Sequence, residues 1–156
     1  MIFWTDGSAH PNPGPGGYGI VVLDDNENII ETISQQYEGP VTNNQMELEA
    51  IVYVMLNYGV NIEEGAWGTI PVVYSDSNYC VQTFNEWMFG WERKGWIKSD
   101  KKVPENLELI QKYFYHHQKG FRIDLRKCKG HAGAKWNEMA DQLATGKREG
   151  FKIADF

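Results

Sequence analysis

Three apolar, β-prone stretches precede any helical periodicity in this chain, and that order restricts its fold more than any other feature. They are Ile2 to Thr5, Gly17 to Leu23 and Ile29 to Tyr37, rich in the β-branched and aromatic residues that suit a pleated surface. The polar link Asp24-Asp25-Asn26-Glu27-Asn28 reads as a hairpin turn, so the three are expected as antiparallel neighbours. Thr42, Asn43 and Asn44 then offer capping side chains, and Met46 to Tyr58 has a helical period with Ala50, Ile51 and Val54 on one face. Beyond it we read a strand over Thr69 to Tyr74, a helix through Tyr79 to about Trp87, and a helix from Pro104 to about Gln118. A fifth strand spans Phe121 to Leu125, and a last helix runs from Lys135 to about Gly146 with Trp136, Met139, Ala140 and Leu143 on its apolar face. The order βββαβααβα calls for an α/β fold with a mixed sheet flanked by helices.

The 156 residues fit one domain. No apolar run approaches the roughly 20 residues of a membrane span, and the N-terminus has no basic region followed by an apolar stretch. A cytoplasmic protein with Cys80 and Cys128 reduced is therefore expected. Net charge is −6, from 15 Lys and Arg against 21 Asp and Glu, which argues against holding nucleic acid by bulk electrostatics alone. Distribution matters more, because Trp91 to Lys102 gathers Arg93, Lys94, Lys98, Lys101 and Lys102 against only Glu92 and Asp100.

The segment Gly14 to Gly19 fits the G-x-G-x-x-G pattern of a phosphate-binding turn, but that turn needs a strand feeding directly into the glycines and a helix after them. Here His10-Pro11-Asn12-Pro13 intervenes, Pro15 removes an amide donor, and a strand follows. Strand, Gly/Pro loop, strand is the better reading.

Four acidic residues fall in telling places. Asp6 and Asp76 are expected at the carboxyl ends of the first and fourth strands, the rim where open α/β sheets place ligands. Glu47 shares the apolar face of the first long helix with Ala50, Ile51 and Val54, in its first turn, and Asp141 flanks the stripe of the last helix. A carboxylate on a core-facing stripe needs a partner cation or a raised pKa. If the four meet at one rim, repulsion of roughly 3 kcal/mol per pair at a dielectric of 20 requires divalent cations among them. Oxygen ligands without His or Cys suit Mg²⁺ or Mn²⁺, and two such ions about 4 Å apart would clamp a phosphodiester. Taken singly, Asp6 and Asp76 read more readily as caps or turn residues than as ligands, and the alternatives are a helix-dipole partner for Glu47 and a solvated flank for Asp141.

Thr5-Asp6-Gly7-Ser8, Asn12-Pro13-Gly14-Pro15-Gly16-Gly17-Tyr18-Gly19, Thr42-Asn43-Asn44-Gln45-Met46-Glu47-Leu48, Ser75-Asp76-Ser77 and Lys129-Gly130-His131-Ala132-Gly133 closely resemble type 1 ribonuclease H. The resemblance runs in order from Ile2 to about Thr145. It implies a ribonuclease H-like fold, a five-stranded mixed sheet with helices on both faces, in a catalytic domain over residues 1–146 with 147–156 as a short tail. It implies endonucleolytic cleavage of the RNA strand of an RNA/DNA hybrid, leaving 5′-phosphate and 3′-hydroxyl ends, by a monomer without an obligate protein partner. Asp6, Glu47, Asp76 and Asp141 match the family's metal-binding acids, serving two Mg²⁺ ions, or Mn²⁺ as the alternative. His131 matches a loop histidine assigned to proton transfer or product release.

Asn12, Asn43 and Asn44 match residues that touch the hybrid where the RNA 2′-hydroxyls lie, although Asn43 and Asn44 suit helix capping equally well. Thr42 and Asn106 match part of a pocket for a DNA-strand phosphate. Trp87, Trp91, Arg93, Lys94, Trp96, Lys98, Lys101 and Lys102 resemble the basic handle that many members use to hold the hybrid. Of these we expect Trp87 in the core and the others toward substrate, with Glu92 and the acidic total weakening binding. Two alternatives stay open: a catalytically weak hybrid-binding module, and an excised ribonuclease H domain of a polymerase polyprotein. The Met1 start and short tail speak against the latter, and no separate hybrid-binding module is expected.

Overall fold

The computed structural model describes residues 1–65, 70–128 and 134–153. Strands β1 (Ile2–Ala9), β2 (Gly14–Leu23) and β3 (Ile29–Val41) form the expected antiparallel meander. Helix α1 (Asn43–Tyr58) starts where Thr42, in extended conformation, accepts the Gln45 amide with its side chain. It crosses over to β5 (Val72–Ser75), which lies parallel to β1, and β7 (Asp124–Lys127) lies parallel to β5. Between them run α2 (Asn78–Gln82), a π-helical stretch over Thr83–Trp87, α3 (Met88–Arg93) and α4 (Leu107–Gln118). Helix α5 (Ala134–Ala144) follows.

Alternation along the strands sorts side chains into two cores. Phe3, Ile20 and Val22 join Leu48, Ile51 and Met55 of α1 and Ile110 and Phe114 of α4. Trp4, Val21 and Leu23 pack instead against Trp136, Ala140 and Leu143 of α5. Helices therefore cover both faces, with α5 on the side opposite α1 and α4.

Several expectations change. The main sheet has six strands rather than five, in the order β7-β5-β1-β2-β3-β8. The sixth, β8 (Phe151–Lys152), falls in the segment read as a tail and pairs with Glu31 and Thr32 of β3; two residues carry no alternation to read. The strand expected over Phe121 to Leu125 divides at Ile123. Its first part, β6 (Phe121–Arg122), pairs with β4 (Val60–Asn61) in a separate ladder, and its second becomes β7. β1 continues to Ala9, so Asp6 lies inside the strand, opposite Gly19, rather than at its end. Because α1 begins at Asn43, Glu47 opens the second turn instead of the first. Helix α4 starts three residues after Pro104, since Asn106 takes a left-handed conformation at φ 59°. Part of the strand expected from Thr69 lies outside the described residues, and β5 runs one residue further than expected, to Ser75.

Candidate metal centre and nucleic-acid interface

The acid cluster is built by close approach of backbones. Gly7 lies against the start of α1, where a side chain would run into the Glu47 amide and the Met46 carbonyl carbon; only glycine lets the helix come that near. Thr5, beside Asp6, donates its hydroxyl to the Tyr74 carbonyl at 3.0 Å, which locks β1 against β5. Ser75 ends β5, and Ser77 caps α2 by accepting the Cys80 amide at 3.2 Å, leaving Asp76 exposed on the turn between them.

One carboxylate oxygen from each of Asp6, Glu47 and Asp76 lies within 4.8 Å of the others. Asp6 and Glu47 are each only 8% exposed. Burial raises the Asp6 carboxyl well above its ordinary value; the hydrogen bond with Glu47 and one from the Gly7 amide pull it down, while the charges of Asp76 and Asp141 push it further up. Glu47 is raised further still, by burial first, then by the charge of Asp6 and the hydrogen bond the two share. Its Oε2 is buried without a partner. A set of oxygens alone, one of them buried and unpartnered, fits a hard divalent cation. Such a cation would relieve the repulsion that now holds a proton in the cluster.

The structure brings together three of the four expected acids. Asp141 stands exposed on α5, outside that triangle but near enough for its charge to act on Asp6. Its helix is held by two β3 side chains that sequence reasoning missed. Ser34 donates to the Leu143 carbonyl at 2.6 Å, and Gln36 donates to the Leu143 and Ala144 carbonyls at 3.1 and 3.0 Å. These are capping bonds for the last carbonyls of a helix, made from a strand distant in sequence, so no local pattern announces them. Lys127 was also missed; its Nζ donates to the Asp76 carbonyl at 2.6 Å. His131 lies outside the described residues.

The candidate hybrid-contacting residues divide. Asn43 accepts the Ala9 amide at 2.6 Å and Asn12 accepts the Asn43 amide at 3.1 Å, tying the β1–β2 loop to α1. Their carbonyl oxygens are thus engaged by the scaffold and their NH₂ groups are the donors that remain. Asn44 is exposed, and Thr42 spends its hydroxyl on the helix cap. Arg93, Lys94, Lys101 and Lys102 are exposed, while Lys98 pairs loosely with Asp100 at 3.8 Å. Trp96 packs edge-on against Phe114, with ring centroids 5.1 Å apart.

Trp87, expected in the core, is 37% exposed. The wider π-helical turn rotates it into line with Tyr79 and Trp91, at centroid distances of 6.3 and 6.1 Å. With Lys98, Pro104 and Glu105 these rings line a groove of roughly 260 Å³, beside Asn106.

Comparison with known proteins follows the same lines. The RNase H family model matches residues 1–149. Ribonuclease H of Aliivibrio salmonicida is 39% identical over 141 residues, covering 90% of this chain and 83% of the relative. Among solved structures, LC11-RNase H1 in complex with RNA/DNA hybrid superposes with a TM-score of 0.63 at 24% identity, covering 92% of each chain. The foamy viral protease-reverse transcriptase in complex with RNA/DNA hybrid gives 0.73 at 18% identity, covering 92% of this chain and 19% of the viral one. At such identities the two structures speak for the fold.

Proposed function

The chain belongs to the RNase H family, and from that premise we propose that it is an endonuclease hydrolysing the RNA strand of RNA/DNA hybrids, leaving 5′-phosphate and 3′-hydroxyl ends. The observation that carries this reading is the packing of the Asp6, Glu47 and Asp76 carboxylates within 4.8 Å, with Glu47 Oε2 buried and unpartnered. We assign the site two Mg²⁺ ions, with Mn²⁺ able to replace them, held by these three acids and by Asp141. Bound there, the ions supply neutralisation of the scissile phosphate and activation of the attacking water.

The protein's own groups supply position and discrimination. Asp6 and Glu47 are fixed by burial and by Gly7, which pre-organises their oxygens. The NH₂ groups of Asn12 and Asn43, with exposed Asn44, suit donation to 2′-hydroxyls, the group that marks the RNA strand. Arg93, Lys94, Lys98, Lys101 and Lys102, with the faces of Trp87 and Trp91, suit the phosphates and sugars of the DNA strand, and we assign Thr42 and Asn106 to a pocket for one of its phosphates. We assign proton transfer or product release to His131. The reading is of a monomer acting in the cytoplasm; no helix among the described residues is long and apolar enough to cross a membrane.

The test is cleavage of a labelled hybrid across a Mg²⁺ and Mn²⁺ titration, with single-stranded RNA, duplex RNA and duplex DNA as controls. Cutting confined to the RNA of the hybrid, and abolished by chelator, is expected. Binding without cutting would make the chain a hybrid-binding module instead.

A further inference from the structure

The sheet edge beside Asp76 carries a fixed cation. Lys127 closes β7, is the register partner of Ser75, and donates from Nζ to the Asp76 carbonyl at 2.6 Å. An exposed lysine ordinarily samples many rotamers in water; here a main-chain hydrogen bond keeps the ammonium at the rim. The grip is on the carbonyl, so the Asp76 carboxylate stays with the Asp6 and Glu47 oxygens. The neighbouring Cys128 thiol senses both charges: after burial, which raises it, Asp76 raises it further and Lys127 draws it back.

We propose that Lys127 is the resident counter-charge of the acid cluster, offsetting carboxylate repulsion while the cluster is metal-free and opposing a divalent ion as it binds, so that it sets the cation affinity of the centre. The inference rests on the reading of that cluster as a divalent-metal site. Coulomb's law fixes the sign, because a monovalent cation held at the rim repels an incoming divalent one. Solvent limits the size, because Lys127 is exposed. Removing the charge leaves the carboxylates more repulsive without metal and more avid for it.

The experiment is Mg²⁺-binding calorimetry at low ionic strength on the substrate-free wild type, Lys127→Met and Lys127→Arg, with thermal unfolding of all three in chelator. Lys127→Met is expected to bind Mg²⁺ on the order of threefold more tightly and to melt lower than wild type in chelator. Lys127→Arg, which keeps the charge, is expected to match wild type in both. The Met difference should shrink at about 0.5 M salt, where the Debye length falls below the reach of the interaction. A Met variant that binds Mg²⁺ with wild-type or weaker affinity, or an Arg variant that behaves like Met, overturns the inference alone. A wild type that takes up no Mg²⁺ overturns the metal reading of the site, and this inference with it.

Discussion

Asp6 and Gly19 face each other across the β1–β2 ladder, and the bare Cα of Gly19 lets α5 settle on the sheet at the level of the acid cluster. A Cβ there would collide with the Ala140 carbonyl and the Leu143 side chain. Ala140 immediately precedes Asp141, so the same contact sets how far the fourth acid stands from the other three. Gly19→Ala should displace the helix and cost about 1–3 kcal/mol, read as a lower urea midpoint. It should also raise the Mg²⁺ concentration for half-maximal cleavage, with the Lys98→Ala variant as a control that leaves that concentration unchanged.

The metal-free protein should lose stability as pH rises from about 4 to about 7. Asp6 has its carboxyl raised from 3.8 to about 7, so in that window the native state holds a proton that the unfolded chain has released, and stability falls with pH. Glu47, raised further, continues the trend above neutrality. Asp6→Asn removes the Asp6 contribution. In chelator at pH 8 it should melt several degrees above wild type, at about 2–4 °C per kcal/mol for a domain of this size. It should lose nearly all cleavage and most of the stabilisation that Mg²⁺ gives wild type. An Asn variant melting below wild type under those conditions would refute the strained-cluster account.

Much of the centre is legible in the sequence because its acids break local rules. Glu47 occupies an apolar helical stripe and Asp76 sits between a β-branched strand and a capping serine, and both anomalies are visible without a structure. What stays hidden depends on distant partners. The interior position of Asp6 in β1 follows from the pairing of Asp6 to Ala9 with Gly16 to Gly19, beyond Thr5, the expected end of the first strand. The exposure of Trp87 follows from a π-helical turn that no periodicity of 3.6 foresees. Ser34, Gln36 and Lys127 are ordinary polar residues until β3 meets α5 and β7 meets β5.

The pairing of β8 with β3 makes the C-terminal segment part of the sheet. Phe151 donates its amide to the Thr32 hydroxyl at 3.0 Å and Ile153 donates its own to the Ile30 carbonyl at 3.1 Å. Ending the chain after Gly146 should cost about 1–2 kcal/mol, from two or three hydrogen bonds and the half-buried Phe151 ring. A lower melting temperature with turnover intact at 25 °C is the expected pattern. Equal loss of turnover would show that the strand also acts on the site.

Glu105 stands where the hybrid's DNA strand is expected to run, lining the groove with Tyr79, Trp87, Trp91 and Lys98. A carboxylate there repels a phosphate and partly cancels Lys98, which already shares its charge with Asp100. Glu105→Lys exchanges that repulsion for attraction without touching the acid cluster. Hybrid binding to the variant should tighten several-fold at low salt, and the slope of log K against log salt should steepen by about 1 for one more phosphate contact. KM should fall with kcat nearly unchanged, because the contact is made equally in the ground and transition states. Fluorescence anisotropy with a labelled hybrid in Ca²⁺ at three salt concentrations measures the slope directly. An unchanged slope would mean that the DNA strand passes outside this groove.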